Sequence, residues 1–224
     1  MRVLAVSPHL DDAVFSAGAT LSAHARAGDA VTVLTCLTGN IDKPRGFALA
    51  CQLDKGLGAG VDYMALRRAE DRNACSAIGA TALHWDFLEA PHRGYRDAGS
   101  LFAEPLPEDG LAIDLAQALT GYLQGHRYDV IYGPYGVGGH VDHVLVRKAL
   151  KQVEEDVIWW EDFPYALRED APPEALIRRP VAPEDVARKV EAALCYTTQI
   201  PFQFGSSDEA RSVLSGWNVE GLSR

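Results

Sequence analysis

The sequence predicts an α/β fold: a mostly parallel sheet between two layers of helices, with its active site at the carboxyl ends of the strands. Three observations carry that prediction. Residues 2–6 are a short apolar run, residues 12–27 are alanine-rich, and residues 30–37 are rich in β-branched side chains. Strand, helix and strand within that length imply a right-handed crossover between parallel neighbours. The alternation then repeats as far as residue 160. Finally, the first and fourth strands run into loops dense in histidine and aspartate, at the place where ligands collect on open parallel sheets.

Each element has its own justification. In the first helix Val14, Ala17, Leu21 and Ala25 recur at spacings of three and four, which marks one helical face. Asp11 or Asp12 offers a side-chain oxygen at its start, and Gly28 suits its end. Residues 38–61 hold Gly39, Pro44, Gly46, Gly56, Gly58 and Gly60 and read as a loop over the strand ends, with a short helix near 48–55. Loops of that length are usually functional or mobile. A helix over 63–78 ends at Gly79, a strand over 81–87 follows, and 89–107 is a second polar loop. A helix over 111–123 leads to a strand over 128–132. The special residues of 133–143 then open a helix that ends near 154. A strand over 157–160 ends on Glu161, Asp162 and Phe163. Pro172, Pro173, Pro180 and Pro183 interrupt the next stretch, and a helix is expected over 183–196. The polar tail from Gly205 shows no period that assigns it. No repeat or composition break divides the chain, so residues 1–224 are expected to form one domain.

Composition narrows the function. The 31 acidic residues against 21 basic ones leave a formal charge of −10, which argues against a nucleic-acid partner and against anionic membranes. Cys36, Cys51, Cys75 and Cys195 are widely spaced and form no CxxC, so reduced thiols in a cytoplasmic protein are expected. The start of the chain does not resemble a secretory leader, and no apolar run is long enough to span a bilayer. The expected partner is a small-molecule substrate, and a homo-oligomer is left open.

The chemistry gathers in two stretches. One is Ser7-Pro8-His9-Leu10-Asp11-Asp12, and the other holds His140, Asp142 and His143. Imidazole nitrogens and a carboxylate oxygen are the ligand set of a catalytic zinc, which keeps a position for water. His9 and Asp12, three apart across a turn into a helix, can point to one centre, and His143 can close the triad from the other loop. Asp11 is then free beside the metal to take a proton from a water whose pKa zinc lowers from ~15.7 to about 7. Another divalent ion can use the same donors. Taken singly, the residues have plainer readings as helix caps, a core imidazole or loop histidines. Their joint placement at two strand ends favours a site. There is no H-E-x-x-H, P-loop or G-x-S-x-G.

SPHLDDAVFSAGATL and GVGGHVDH resemble the two signature motifs of the PIG-L / LmbE-like family of zinc-dependent N-acetylglucosaminyl deacetylases. Arg67-Arg68-Ala69-Glu70 is similar to the family's R-x-x-E helix, and residues 89–94 and 159–165 are similar to one bacterial branch, so the resemblance reaches about residue 203. It implies a Rossmann-like three-layer fold. It also implies a metal-dependent amide hydrolase that removes the N-acetyl group from an N-acetylglucosamine-type glycoside or sugar conjugate. His9, Asp12 and His143 match the zinc ligands, and Asp11 matches the general base. His140 matches the histidine that stabilises the oxyanion. Asp142 matches a carboxylate that orients a histidine, and Arg67 matches an arginine that contacts the sugar. Protonation of the leaving amine falls to Asp11 or His140. Another amide, in an acylated natural-product glycoside or a thiol conjugate, is an alternative substrate. A non-catalytic sugar-binding module is a further alternative, against which an intact Asp11 speaks.

The chain departs from the family pattern in places. Leu10 replaces a common Pro, and Ala13 stands where many members have Glu. Gly138 stands where some relatives have a tyrosine, which makes Tyr135 the expected tyrosine near the oxyanion. Arg67 reads equally well as a surface arginine paired with Glu70 or Asp71. His92, Arg93 and Tyr95 could line a sugar site but read more readily as a mobile surface loop; core packing is the default for at least one of Trp159 and Trp160, and the one that alternates outward could stack on a sugar.

Overall fold

Strands β1 (Arg2–Ser7), β2 (Ala30–Thr35), β3 (Thr81–His84), β4 (Val130–Pro134), β5 (Val157–Trp160), β6 (Ile177–Pro180) and β7 (Val219–Leu222) form one sheet in the order β3-β2-β1-β4-β5-β7-β6. The structure is a computed structural model that describes residues 1–168 and 173–223, so Pro172 lies outside the described residues. β1 to β5 run parallel, and β7 is antiparallel to both β5 and β6. The helices are α1 (Asp12–Arg26), α2 (Gly46–Leu53), α3 (Tyr63–Ala77), α4 (Leu111–Gly125), α5 (Val141–Val153), α6 (Pro183–Ala193), α7 (Ile200–Phe204) and α8 (Ser207–Gly216).

The period of two along β1 builds both halves of the core. Val3 and Ala5 join Phe15, Leu21, Ile78, Val190 and Leu214 on one face. Leu4 and Val6 join Leu115, Leu119, Val146 and Leu150 on the other. A strand buried on both faces reads as an unbroken apolar run, which is why β1 and β2 are so plain in the sequence. Chain order reverses between β1 and β4, which pair directly through Val3, Leu4 and Ala5. Loops that leave two such strands diverge and open a crevice between them.

Three expectations are corrected. Neither Asp11 nor Asp12 caps α1. The Ala13 N–H donates instead to Ser7 Oγ, while Asp12 Oδ2 accepts the His9 N–H, because both carboxylates are turned into the crevice. The third strand stops at His84, since Leu37 and Asp86 cross in an antiparallel bridge that draws residues 85–87 over the end of β2. The tail from Gly205 is ordered as α8 and β7. There Glu220 is buried and accepts from Lys189 Nζ, the Ala19 and Thr20 N–H groups and Thr20 Oγ1. Among the described residues no helix is long and apolar enough to cross a membrane.

Candidate active site

The loops after β1 and β4 meet at the crevice, and their side chains converge. His9 Nδ1 lies 3.0 Å from Asp12 Oδ2, and His143 Nε2 lies 3.2 Å from the same oxygen. The buried His143 Nε2 makes no hydrogen bond within the protein. The other ring nitrogens are held from behind by carboxylates: His9 Nε2 by Asp142 Oδ2 at 2.8 Å, and His143 Nδ1 by Asp162 Oδ1 at 2.8 Å. A histidine that donates its outer N–H to a carboxylate presents a bare inner nitrogen, the form that binds metals. This donor set fits a divalent cation.

His9, His140 and Asp142 are also close enough to form a metal-binding group. Asp142, however, already accepts from His9, from the Ala90 N–H at 3.1 Å and from Arg93 Nη2 at 2.7 Å. A guanidinium on that carboxylate opposes a second cation, so His9, Asp12 and His143 form the better candidate centre.

The electrostatics agree. Burial opposes charge on His143, yet the Asp12 and Asp162 carboxylates push it up to about 10. The position between them therefore draws positive charge, which a cation supplies as well as a proton does. Burial pushes the Asp11 carboxyl up to about 6, against the pull of the Arg67 guanidinium. Burial also drives His140 down to about 3. Its Nδ1 accepts the Asp142 N–H at 3.2 Å, so the neutral ring carries its proton on Nε2.

His9, Asp11, Asp12 and His140 line a cavity of about 260 Å³, together with Arg67, Glu89 and Tyr165. Arg67 is only 4% exposed, so it is no surface arginine. Its Nη1 donates to Glu89 Oε1, and its Nη2 lies 3.6 Å from Asp11 Oδ1. Glu70 is occupied instead by Thr197 and Thr198, and Asp71 by His84 and Tyr196.

Tyr135 is placed away from the cavity, with the Arg147 guanidinium 3.8 Å over its ring. The tyrosines in the cavity wall are Tyr63 and Tyr165, and the Tyr165 ring lies 5.6 Å from that of His143. Gly138 makes room for it, since a Cβ there would meet the Tyr165 ring at 2.8 Å. Neither tryptophan serves as a sugar face. Trp160 is fully buried, and Trp159 packs beneath Arg147 and Lys151 on the α5 side. The stretch around residue 93 is fastened rather than loose. Arg93 binds Asp142, Asp109 and the Leu88 carbonyl, and Tyr95 is 2% exposed. His92 sits in a short 3-10 turn of that loop and does not line the cavity.

Sequence reasoning missed the supporting roles of Asp162, Glu89 and Arg93. Asp162 had a usable signal, because it follows β5, the strand that pairs with β4, whose end leads to His140 and His143. It also accepts the Gly136 and Val137 N–H groups at 2.6 and 2.7 Å. Asp162→Asn is expected to lower metal affinity about 10–100-fold, the usual cost of losing the partner behind a ligand. Competition with a chromophoric chelator measures it. Unchanged affinity would mean that Asp162 serves only to fold the loop.

Residues 4–154 match the family described as PIG-L: GlcNAc-PI de-N-acetylase. The chain is 34% identical over 175 residues to the 2'-N-acetylparomamine deacetylase of Streptomyces fradiae, across 76% of this chain and 60% of that one. It is 31% identical over 163 residues to the 1D-myo-inositol 2-acetamido-2-deoxy-alpha-D-glucopyranoside deacetylase of Geodermatophilus obscurus, across 68% and 53% respectively. It therefore spans little more than half the length of these curated relatives. Over its whole length it superposes on a crystal structure of a deacetylase of teicoplanin biosynthesis, with a TM-score of 0.86 and 26% identity, and it covers 97% of that chain.

Proposed function

Because this chain belongs to the PIG-L (GlcNAc-PI de-N-acetylase) family, we propose that it is a metal-dependent N-deacetylase. In this reading residues 1–224 act as one domain in the cytoplasm. They remove the acetyl group from an N-acetylglucosamine-type glycoside or sugar conjugate, with zinc as the metal. One observation carries the reading: the donor atoms of His9, Asp12 and His143 lie within 4.8 Å of one another, beside a cavity that His9, Asp11 and Asp12 line. Four free cysteines suit a reducing compartment.

Two imidazole nitrogens and one carboxylate oxygen suit zinc, which when bound polarises a carbonyl and acidifies water. The chain's own residues do the rest. Asp11 takes a proton from the attacking water, and its raised pKa, near 6, makes it a base matched to neutral solution. His140 offers its Nε2–H to the carbonyl oxygen as negative charge grows there. A donor aimed at that charge is typically worth ~3–4 kcal/mol in the barrier. Arg67 holds Asp11 on one side and is positioned to meet a sugar hydroxyl on the other. As the C–N bond breaks, the amine takes a proton from Asp11, which has just received one, or from His140.

The test is release of free amine from a panel of N-acetylglucosaminides. A chelator is expected to reduce release to background, and added zinc is expected to restore it. Turnover that survives complete removal of metal would overturn the metal mechanism. Stoichiometric metal with no turnover on any amide would point to a binding module.

A further inference from the structure

Glu70 closes the R-x-x-E stretch of α3, and the proposed chemistry leaves it without a part. It is buried, and three donors from one turn converge on it. Thr197 Oγ1 at 2.6 Å and the Thr198 N–H at 2.8 Å donate to Oε1, and Thr198 Oγ1 at 2.7 Å donates to Oε2. That turn links α6 to α7. Its next residue, Gln199, is 3% exposed and lines the cavity, as does Tyr63 of α3. Gln199 Nε2 donates to Thr198 Oγ1 at 2.8 Å and to Tyr63 OH at 3.0 Å.

The order of these bonds fixes the direction of each. A carboxylate only accepts, and a threonine hydroxyl has a single proton. Thr198 spends that proton on Glu70, so toward Gln199 it can only accept. The Gln199 amide must therefore turn its NH2 group to Thr198, and both hydrogens are used, one on Thr198 and one on Tyr63. Tyr63 accepts from Gln199 and keeps its own proton to give. Burial pushes that hydroxyl above its ordinary pKa, so the proton stays in place. Among the described residues nothing donates to Gln199 Oε1, and nothing accepts from Tyr63 OH. The chain that starts at Glu70 thus ends in one free acceptor and one free donor, both on residues of the cavity wall. A hydroxyl answers both at once, since it donates one hydrogen bond and accepts another. We propose that Gln199 and Tyr63 together read one hydroxyl of the amino sugar, and that Glu70 and Thr198 are positioning residues that hold the Gln199 amide in its accepting orientation. Neither Glu70 nor Thr198 lines the cavity itself. The inference deepens the deacetylase reading above and rests on it.

The test compares kcat/KM for an N-acetylglucosaminide with that for its 3-, 4- and 6-deoxy analogues. One analogue is expected to lose about 10–100-fold, mainly through KM, because it leaves a buried donor and a buried acceptor unpaired. Gln199→Ala is expected to abolish that loss. Thr198→Val is expected to remove most of it as well, although the valine keeps the backbone N–H bond to Glu70 and stands off the cavity. Thr198→Ser is expected to restore it. A merely structural role for Thr198 would slow all four sugars alike. Because each ratio is taken within one protein preparation, partial loss of folding does not move it. Equal kcat/KM across the four compounds would overturn the inference while leaving deacetylation intact. So would a loss that Thr198→Val leaves in full. If no compound releases amine, the deacetylase reading falls, and calorimetric affinities for the same four compounds decide the contact. A deoxy penalty there that Gln199→Ala removes would support it, and equal affinities would refute it.

Discussion

Asp11→Asn is expected to lower kcat by roughly 10²–10⁴ while metal remains bound, the usual worth of a positioned acid–base group. The expectation follows from position. Asp11 lies beside the candidate ligands but is not one of them, since the three convergent donors are His9, Asp12 and His143. The asparagine is nearly isosteric, and it leaves Arg67 its contact with Glu89, so the wall of the cavity stands. What disappears is the lone pair basic enough to take a proton. Single-turnover kinetics with metal content measured on the same sample decides the matter. A rate within a few-fold of the parent would assign proton transfer to another group. Lost metal would make Asp11 a ligand.

His143→Ala is expected to have the opposite signature: a folded chain that does not retain metal. The affinity loss should exceed the ~10–100-fold that follows removal of a partner behind a ligand. His143 is fully buried, and its Nε2 faces Asp12 Oδ2 at 3.2 Å, so its loss takes away one of the three convergent donors of the centre. The fold should survive, because Asp162 still accepts the Gly136 and Val137 N–H groups when the imidazole is gone. Metal content after dialysis and a circular dichroism melt separate the two effects. Stoichiometric metal in the folded variant would dismantle the proposed triad.

The parts of this protein that were legible in its sequence are those encoded by local period or by close spacing. β1, α1 and β2 carry unbroken or amphipathic apolar patterns, and His9 with Asp12, and His140 with His143, sit together in short motifs. The rest depends on partners far along the chain. β7 reads only Val-Glu-Gly-Leu, and Glu220 tolerates burial solely because Lys189 and the α1 backbone reach it. Arg93 looks like a loop residue until Asp142, 49 positions away, is seen to accept from it. Tyr135 is three residues from Gly138 in sequence, yet its ring packs under Arg147, while Tyr165 arrives from beyond β5 to fill the space that Gly138 leaves. Proximity along the chain indicated which loop mattered but not which way a ring would turn.

The loop between β3 and α4 has a consequence for how the proposed site can change. Through Arg93 and the Ala90 N–H it steadies Asp142, and so the imidazole of His9. Through Glu89, Leu101 and Phe102 it also shapes the chamber above. If the proposed reading holds, substrate preference and metal retention are written into one segment, and a mutation that widens the chamber there would loosen the ion. Phe202 and Gln203 of α7 line the same cavity without that double duty, for among the described residues Asp142 and Asp162 take no hydrogen bond from α7. New specificities should arise more readily by variation in α7, by natural drift or in the laboratory, with the β3–α4 loop left unaltered.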